Sequence, residues 1–252
     1  MNSTGNTILI TGGTSGIGLG LALRLHKAGN KVIIAGRRRE ILDRVISENP
    51  GIEALELDVS DPDSVLRHAQ ALTHNHPELN VLINSAGIMH WEDLKDPANL
   101  GTAEDIVTTN LLGTIRVVYA LTPHLIQQPS ATIINVSSAL GFVPLPATPT
   151  YSATKAAIHS FSQSLRVQLA ETSVEVIELA PPAVRTTLLG QEDDEHAMPL
   201  NDFLDEVFTL LGSAPALQEI IVERAKFVRF AEAQGSVGEV LKILAAIKPF
   251  SR

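Results

Sequence analysis

The chain has 252 residues, 44% of them hydrophobic and 19% charged, enough to bury a sizeable α/β core in one large domain or two small ones. A formal net charge of −9 argues against nucleic acid or an anionic membrane as partner, and the chain lacks the run of about 18 apolar residues that a membrane span needs. The absence of cysteine excludes disulfides and thiolate chemistry, and the opening MNSTGNTILITGG has neither the basic residues nor the long apolar stretch of an export signal, which predicts a cytoplasmic location.

NTILIT is short, apolar and β-branched, and predicts a first strand running into a glycine-rich turn. LGLALRLHKAGN follows as a helix closed by Gly29 and Asn30, residues that suit a left-handed C-terminal cap. KVIIAG is a second strand and REILDRVISEN a second helix, stopped by Pro50-Gly51. IEALELDV reads as a third strand, and Asp61-Pro62 starts a helix through Leu72. NVLINSAG, ATIINVSS and VEVIELAPP are further apolar strands, with helices EDIVTTNLLGTIRVVYAL and YSATKAAIHSFSQSLRVQLAE between them. Apolar strands separated by helices predict a parallel sheet covered on both faces, a single doubly wound domain. After Thr187 the character changes. LLGQEDDEHAMPLNDF is polar, acidic and turn-rich, and the helical NDFLDEVFTLLG, a short strand QEIIV, and the tail RAKFVRFAEA and EVLKILAAIK follow.

TGGTSGIG, Thr11 to Gly18, joins the first strand to the first helix, where free N–H groups and a partial positive charge face any bound phosphate. Gly12 permits the tight turn, and Gly16 and Gly18 allow close approach of backbone to ligand and of helix to sheet. Thr14, Ser15 and Ile17 complete the predicted phosphate cradle. At the other end of the domain, Tyr151 and Lys155 in YSATK lie four residues apart on one helical face. Alone, such a pair is more often a surface feature.

Taken together, these stretches make the chain similar to the short-chain dehydrogenase/reductase family over Asn6 to Thr187. TGGTSGIG, Asp58-Val59, Asn84-Ser85-Ala86-Gly87, Asn110 in a helix, Ser137-Ser138, YSATK and PPAVRT occur in the family's order. The resemblance implies a Rossmann-type domain over residues 1–252, with a substrate lid at about 188–215 and a variable tail at 216–252. The tail resembles that of poorly characterised bacterial oxidoreductases.

The end of the second strand meets the adenosine ribose in sheets of this type, and an acid there selects NAD. Here Gly36 stands in that place, followed by Arg37, Arg38 and Arg39, and guanidinium groups grip a 2′-phosphate. This predicts NADP(H), with Arg37 and Arg38 as contacts. By resemblance, Asp58 and Val59 contact adenine, Asn84, Ala86 and Gly87 pack along the adenosine ribose, and Pro181, Val184 and Thr186 reach the carboxamide. Pro182 departs from the glycine that many relatives carry.

The resemblance assigns Tyr151 as general acid/base and Lys155 as the amine that lowers its pKa and binds the nicotinamide ribose. Ser138 polarises the carbonyl, Ser137 being the competing serine, and Asn110 holds a water that relays protons. A phenol near pKa 10 needs about 4 kcal/mol to act as a base at neutral pH, which an ammonium supplies only where the effective dielectric is near 20 or below. His90, Trp91, Phe142, Pro144 and Leu145 are the expected substrate walls, fitting a small or medium apolar carbonyl compound; no metal is expected. The expected assembly is a homodimer through the helices of Asn110 and Tyr151 rather than a tetramer. Two other readings use the same scaffold: an epimerase or dehydratase, and a catalytically silent NADP-binding regulator.

Overall fold

Five consecutive buried residues, Thr7–Thr11, form β1 at the centre of a parallel sheet. The computed structural model describes residues 3–213 and 217–247. Within them β1 is flanked by β2 (Lys31–Gly36) and β4 (Leu79–Asn84), and β3 (Ile52–Glu56), β5 (Ala131–Val136), β6 (Val174–Leu179) and β7 (Glu219–Ile220) complete the order β3-β2-β1-β4-β5-β6-β7. Successive strand residues point to opposite faces. Ile8, Ile10, Ile34 and Ile83 accordingly join one apolar cluster and Leu9, Ile33, Leu82 and Ile133 a second. Both faces are buried, which is why these strands read as unbroken apolar runs.

The first cluster is closed by α1 (Gly16–Lys27), α2 (Arg39–Glu48) and α7 (Leu200–Ser213), and the second by α3 (Pro62–Asn75), α5 (Gly113–Leu125) and α6 (Pro149–Gln168). The chain leaves β1 toward β2 on one side and returns to β4 on the other, so the sheet reverses direction beside β1. The crevice at the carboxyl ends of β1 and β4 is the place where such sheets bind ligands.

Local chemistry sets most boundaries. Helix α1 ends with Gly29 at φ 89°, its N–H bonded to His26 O, and with the Asn30 N–H bonded to Leu25 O. That is the double bond pattern of a left-handed C-terminal cap, as the sequence predicts. Strand β3 stops at Glu56, three residues short of the predicted end, because β2 ends at Gly36 and offers nothing further to pair with. The chain turns instead on Asp58, whose carboxylate accepts from the Ser60 N–H at 2.9 Å and hydroxyl at 2.6 Å. The predicted helix around Asn110 starts earlier, as α4 (Leu100–Ile106), and widens into π-helical turns over Val107–Leu112 before α5.

Beyond β6 the acidic segment does not form a separate unit. Helix α7 packs on α1, with Leu204 filling the space over Gly20 and Asp205 paired to Arg24. The strand candidate QEIIV narrows to the two residues of β7, and α8 (Glu223–Arg229) and α9 (Val237–Ala245) follow. Residues 214 and 215 of the expected lid, residue 216, and residues 248–252 of the expected tail lie outside the described residues. No described helix is long and apolar enough to cross a membrane.

Candidate active site

The glycine turn is built by contact rather than by composition alone. Gly12 has φ +68°, and a Cβ there would stand 2.7 Å from the Ala86 Cα. A Cβ on Gly18 would stand 2.3 Å from the Gly12 carbonyl oxygen. The absence of side chains thus lets α1 close directly on the β1 and β4 termini. Ser15 occupies the N-cap without a side-chain bond to the helix, so the free N–H groups of the first turn are left to a ligand.

A cavity of about 1030 Å³ runs from this turn across the sheet edge. At one end lie Gly12, Thr14, Ser15, Gly16, Ile17 and Gly18, with Arg37, Arg38 and Val59 beside them. Arg39 is drawn away to Asp43 at 2.9 Å, whereas neither Arg37 nor Arg38 has an ion-pair partner among the described residues. A Cβ on Gly36 would meet the Thr14 methyl at 2.8 Å, so no acidic side chain fits there without displacing the turn. Ala86 and Gly87 line the middle, and Pro181, Val184 and Thr186 the opposite wall. Apart from Asp58 and Asn84, the expected dinucleotide contacts surround one elongated space lined by open N–H donors, two guanidinium groups without ion-pair partners among the described residues, and small residues.

At the far end Ser138, Tyr151 and Lys155 face the same cavity. Pro149 in the first turn of α6 sets the helix start, and the buried carboxylate of Glu92 accepts from the Thr150 N–H at 3.1 Å and its hydroxyl at 2.6 Å. This carboxylate supplies the cap that the helix's own N-cap, Thr148, does not. A Cβ on Gly141 would stand 2.9 Å from the Lys155 carbonyl carbon, so the loop after Ser138 lies directly on α6. The Ser138 side chain stands beside the Tyr151 phenol and acts to lower its pKa. Ser137 also borders the cavity, but its hydroxyl donates to Glu178 at 2.5 Å. Geometry thus separates the two serines.

Burial sets the electrostatics of this pair. Burial pushes the Tyr151 phenol up to about 12, the neighbouring Ser138 opposing only part of that shift. Burial also takes the Lys155 ammonium down to about 8, opposed by the charge of Glu178. Lys155 Nζ donates to the Val136 carbonyl at 2.8 Å and lies 5.5 Å from the centre of the tyrosine ring. Desolvation outweighs what lowers the phenol pKa, and the phenol keeps its proton at neutral pH.

Five predicted residues stand off the cavity wall. Asn110 accepts from the Ile88 N–H at 2.8 Å and donates to the Ile88 carbonyl at 2.9 Å, bracing the chain after β4. It stays close to the site, since a Cβ on Gly87 would stand 3.4 Å from Asn110 Oδ1 and 3.8 Å from Lys155 Nζ. Asn84 is buried and donates to Asn135 Oδ1 at 2.9 Å, tying β4 to β5, and Asp58 closes its own turn. Pro144 is exposed to solvent. Phe142 turns away, edge-on to the His159 ring at 4.7 Å and under the Arg229 guanidinium at 4.3 Å. Of the expected substrate walls, His90, Trp91 and Leu145 do line the cavity.

The remaining wall comes from the start of the expected lid and from the tail, for which no wall residues were named. Leu188 to Gln191 cross the opening with Leu189 at φ 59° and Gly190 at φ 70°. A leucine in the left-handed region costs of order 1 kcal/mol and needs its surroundings to hold it. Arg224, Phe227 and Val228 of α8, with Leu244 of α9 and Ile247 beyond it, close the side. The one available signal was the i, i+4, i+7 spacing of Val240, Leu244 and Ile247.

The family profile described as short chain dehydrogenase matches residues 6–197. The uncharacterized oxidoreductase DltE of Bacillus subtilis (strain 168) is 41% identical over 237 residues, 91% of this chain and 92% of that protein. The fold matches a short chain dehydrogenase from Burkholderia cenocepacia J2315 in complex with NADP, at TM-score 0.82 and 24% identity over 96% of this chain and 99% of that one. It also matches a 3-ketoacyl-(acyl-carrier-protein) reductase from Brucella melitensis complexed with NADH, at TM-score 0.76 and 26% identity over 89% and 100%.

Proposed function

The chain belongs to the short-chain dehydrogenase family of oxidoreductases, and from that premise we propose that it reduces the carbonyl of a ketone or aldehyde to an alcohol, reversibly, with NADPH. The observation that carries this reading is a single one. A buried phenol beside Ser138 opens onto the same cavity as an uncapped glycine turn.

The glycine turn and the α1 N-terminus would hold the pyrophosphate, and Arg37 and Arg38 the 2′-phosphate. The relatives' cofactors support a nicotinamide dinucleotide, since the Burkholderia protein carries NADP and the Brucella protein NADH. The two unpaired guanidinium groups and the blocked position over Gly36 favour the phosphorylated form. When bound, the dinucleotide supplies the hydride.

The chain's own groups handle the proton. Ser138 and Tyr151 hydroxyls converge on the carbonyl oxygen, and the phenol donates its proton as the alkoxide forms. At neutral pH the buried phenol holds the proton that reduction requires it to donate. The phenolate left behind is offset by the Lys155 ammonium, worth up to about 4 kcal/mol at an effective dielectric near 20. Asn110 fixes the backbone beside Lys155 and keeps that corner ordered. His90, Trp91, Leu145 and the α8–α9 wall would exclude water, residues 188–215 acting as the lid. Tyr119 and Val167, exposed on α5 and α6, support a homodimer through those helices.

The test is NADPH consumption, followed by absorbance, against a panel of ketones and aldehydes. Tyr151→Phe is expected to lower turnover by about 10²–10⁴-fold while leaving the NADPH Kd unchanged. Turnover that survives Tyr151→Phe would refute the proton role, and tight NADPH binding without turnover on any compound would favour a silent cofactor-binding regulator.

A further inference from the structure

A carboxylate sits where a central strand should be apolar. Glu178 lies in β6 between Ile177 and Leu179 and is fully buried. A buried carboxylate is strongly disfavoured unless its oxygens are satisfied, and here both are engaged by residues of the catalytic elements. Oε1 accepts from the Ser137 hydroxyl at 2.5 Å, and Oε2 meets His159 Nδ1 at 2.7 Å. Ser137 immediately precedes Ser138, and His159 is one helical turn beyond Lys155 on α6.

Resting on the reading above, we propose that Glu178 is a positioning residue for this reaction, clamping the serine turn that presents Ser138 to α6, the helix that carries Tyr151 and Lys155. The clamp is reinforced by the backbone: the Ser137 N–H bonds Leu179 O at 2.8 Å, and the Ala139 N–H bonds Pro181 O at 2.8 Å. With these, the stretch that presents the Ser138 hydroxyl is fixed at each end and by one side chain between. The anion also acts on the buried amine, raising the Lys155 pKa against the desolvation that lowers it.

The groups around Glu178 balance its charge without a metal ion. His159, Glu178 and Glu219 bring ligand atoms within 4.8 Å of one another. Arg229 of α8, however, takes both oxygens of Glu219 at 2.9 Å, with Glu232 nearby and its guanidinium plane over Phe142. A guanidinium therefore occupies the role a cation would have. The charged and titratable groups facing Glu178 are Lys155 and His159 from α6, Glu219 from β7 and Arg229 from α8.

The test is Glu178→Gln, which keeps shape and an acceptor for Ser137 but removes the charge. Its kcat is expected to fall at least about tenfold, with the KM values for NADPH and carbonyl substrate within about twofold. In the same variant, titration of the Lys155 Nζ followed by NMR in the cofactor-free protein moves to lower pH than in wild type. Ser137→Ala reproduces the fall in kcat and leaves that titration in place; Glu178→Asp recovers part of both. A Glu178→Gln protein with wild-type kcat and an unmoved Lys155 titration overturns the proposal. The NMR titration needs no turnover, so it decides the electrostatic role even if the Tyr151→Phe control shows the catalytic reading to be wrong. If Glu178→Gln does not fold, Ser137→Ala with wild-type kcat overturns the clamp.

Discussion

Replacing Lys155 by methionine should make the cofactor-free protein more stable at neutral pH while abolishing its activity. Burial takes the ammonium from 10.5 down to about 8, a penalty on the charged form of roughly 3 kcal/mol at about 1.4 kcal/mol per pKa unit. Methionine matches the stem and carries no charge, but it leaves the Val136 carbonyl without its donor, which returns about 1 kcal/mol. The net gain at pH 7 is about 2 kcal/mol. The pH dependence is the sharper readout. Because the folded pKa lies below the unfolded one, between those two values the unfolded chain binds the proton and the folded protein does not. Wild-type stability therefore rises with pH from about 8 toward 10.5. The gap between Lys155→Met and wild type should shrink by about 2–3 kcal/mol from pH 7 to pH 10. Urea unfolding of both proteins at a series of pH values measures it, and contributions from other groups, including Tyr151, cancel in the difference. A gap that does not change with pH, or a Lys155→Met protein less stable than wild type at pH 7, would refute this account of the buried amine.

Other consequences are more local. Arg37→Ala and Arg38→Ala should each weaken NADPH binding about tenfold while changing NADH binding less than about twofold, measured by fluorescence titration at fixed salt. Gly12→Ala combines a left-handed backbone with a Cβ 2.7 Å from the Ala86 Cα; it should lose more than the 1–2 kcal/mol (roughly) of the backbone term alone, seen as a lower urea midpoint. Glu92→Ala removes the cap from α6 and should cost about 1–2 kcal/mol of stability, with the helix-start amides around Thr150 exchanging faster by hydrogen exchange.

The order of strands and helices was set by the sequence because burial on both faces leaves a pattern no other arrangement matches: runs such as TILIT and ATIINV, each bounded by turn residues. The glycine turn was legible for a similar reason, since a left-handed Gly12 and the contact at Gly18 leave no choice of residue. Family order, more than any local property, pointed to Tyr151, Lys155 and Ser138. What only the tertiary structure decided is which groups meet across the sheet. Phe142 sits near Ser138 in the chain yet packs on His159 and Arg229, because the loop turns toward β7 and α8. Asn110 spends its amide on the Ile88 backbone, an engagement that depends on the π-helical turn bringing it there. The C-terminal helices wall the cavity only because α7 carries the chain along α1 and back. The pKa values of Tyr151 and Lys155 follow burial, a property of the whole fold that residue spacing does not carry. Glu178 is the clearest instance: in the sequence it is one acid in an apolar strand, and only packing gives it a serine, a histidine and a charged neighbour.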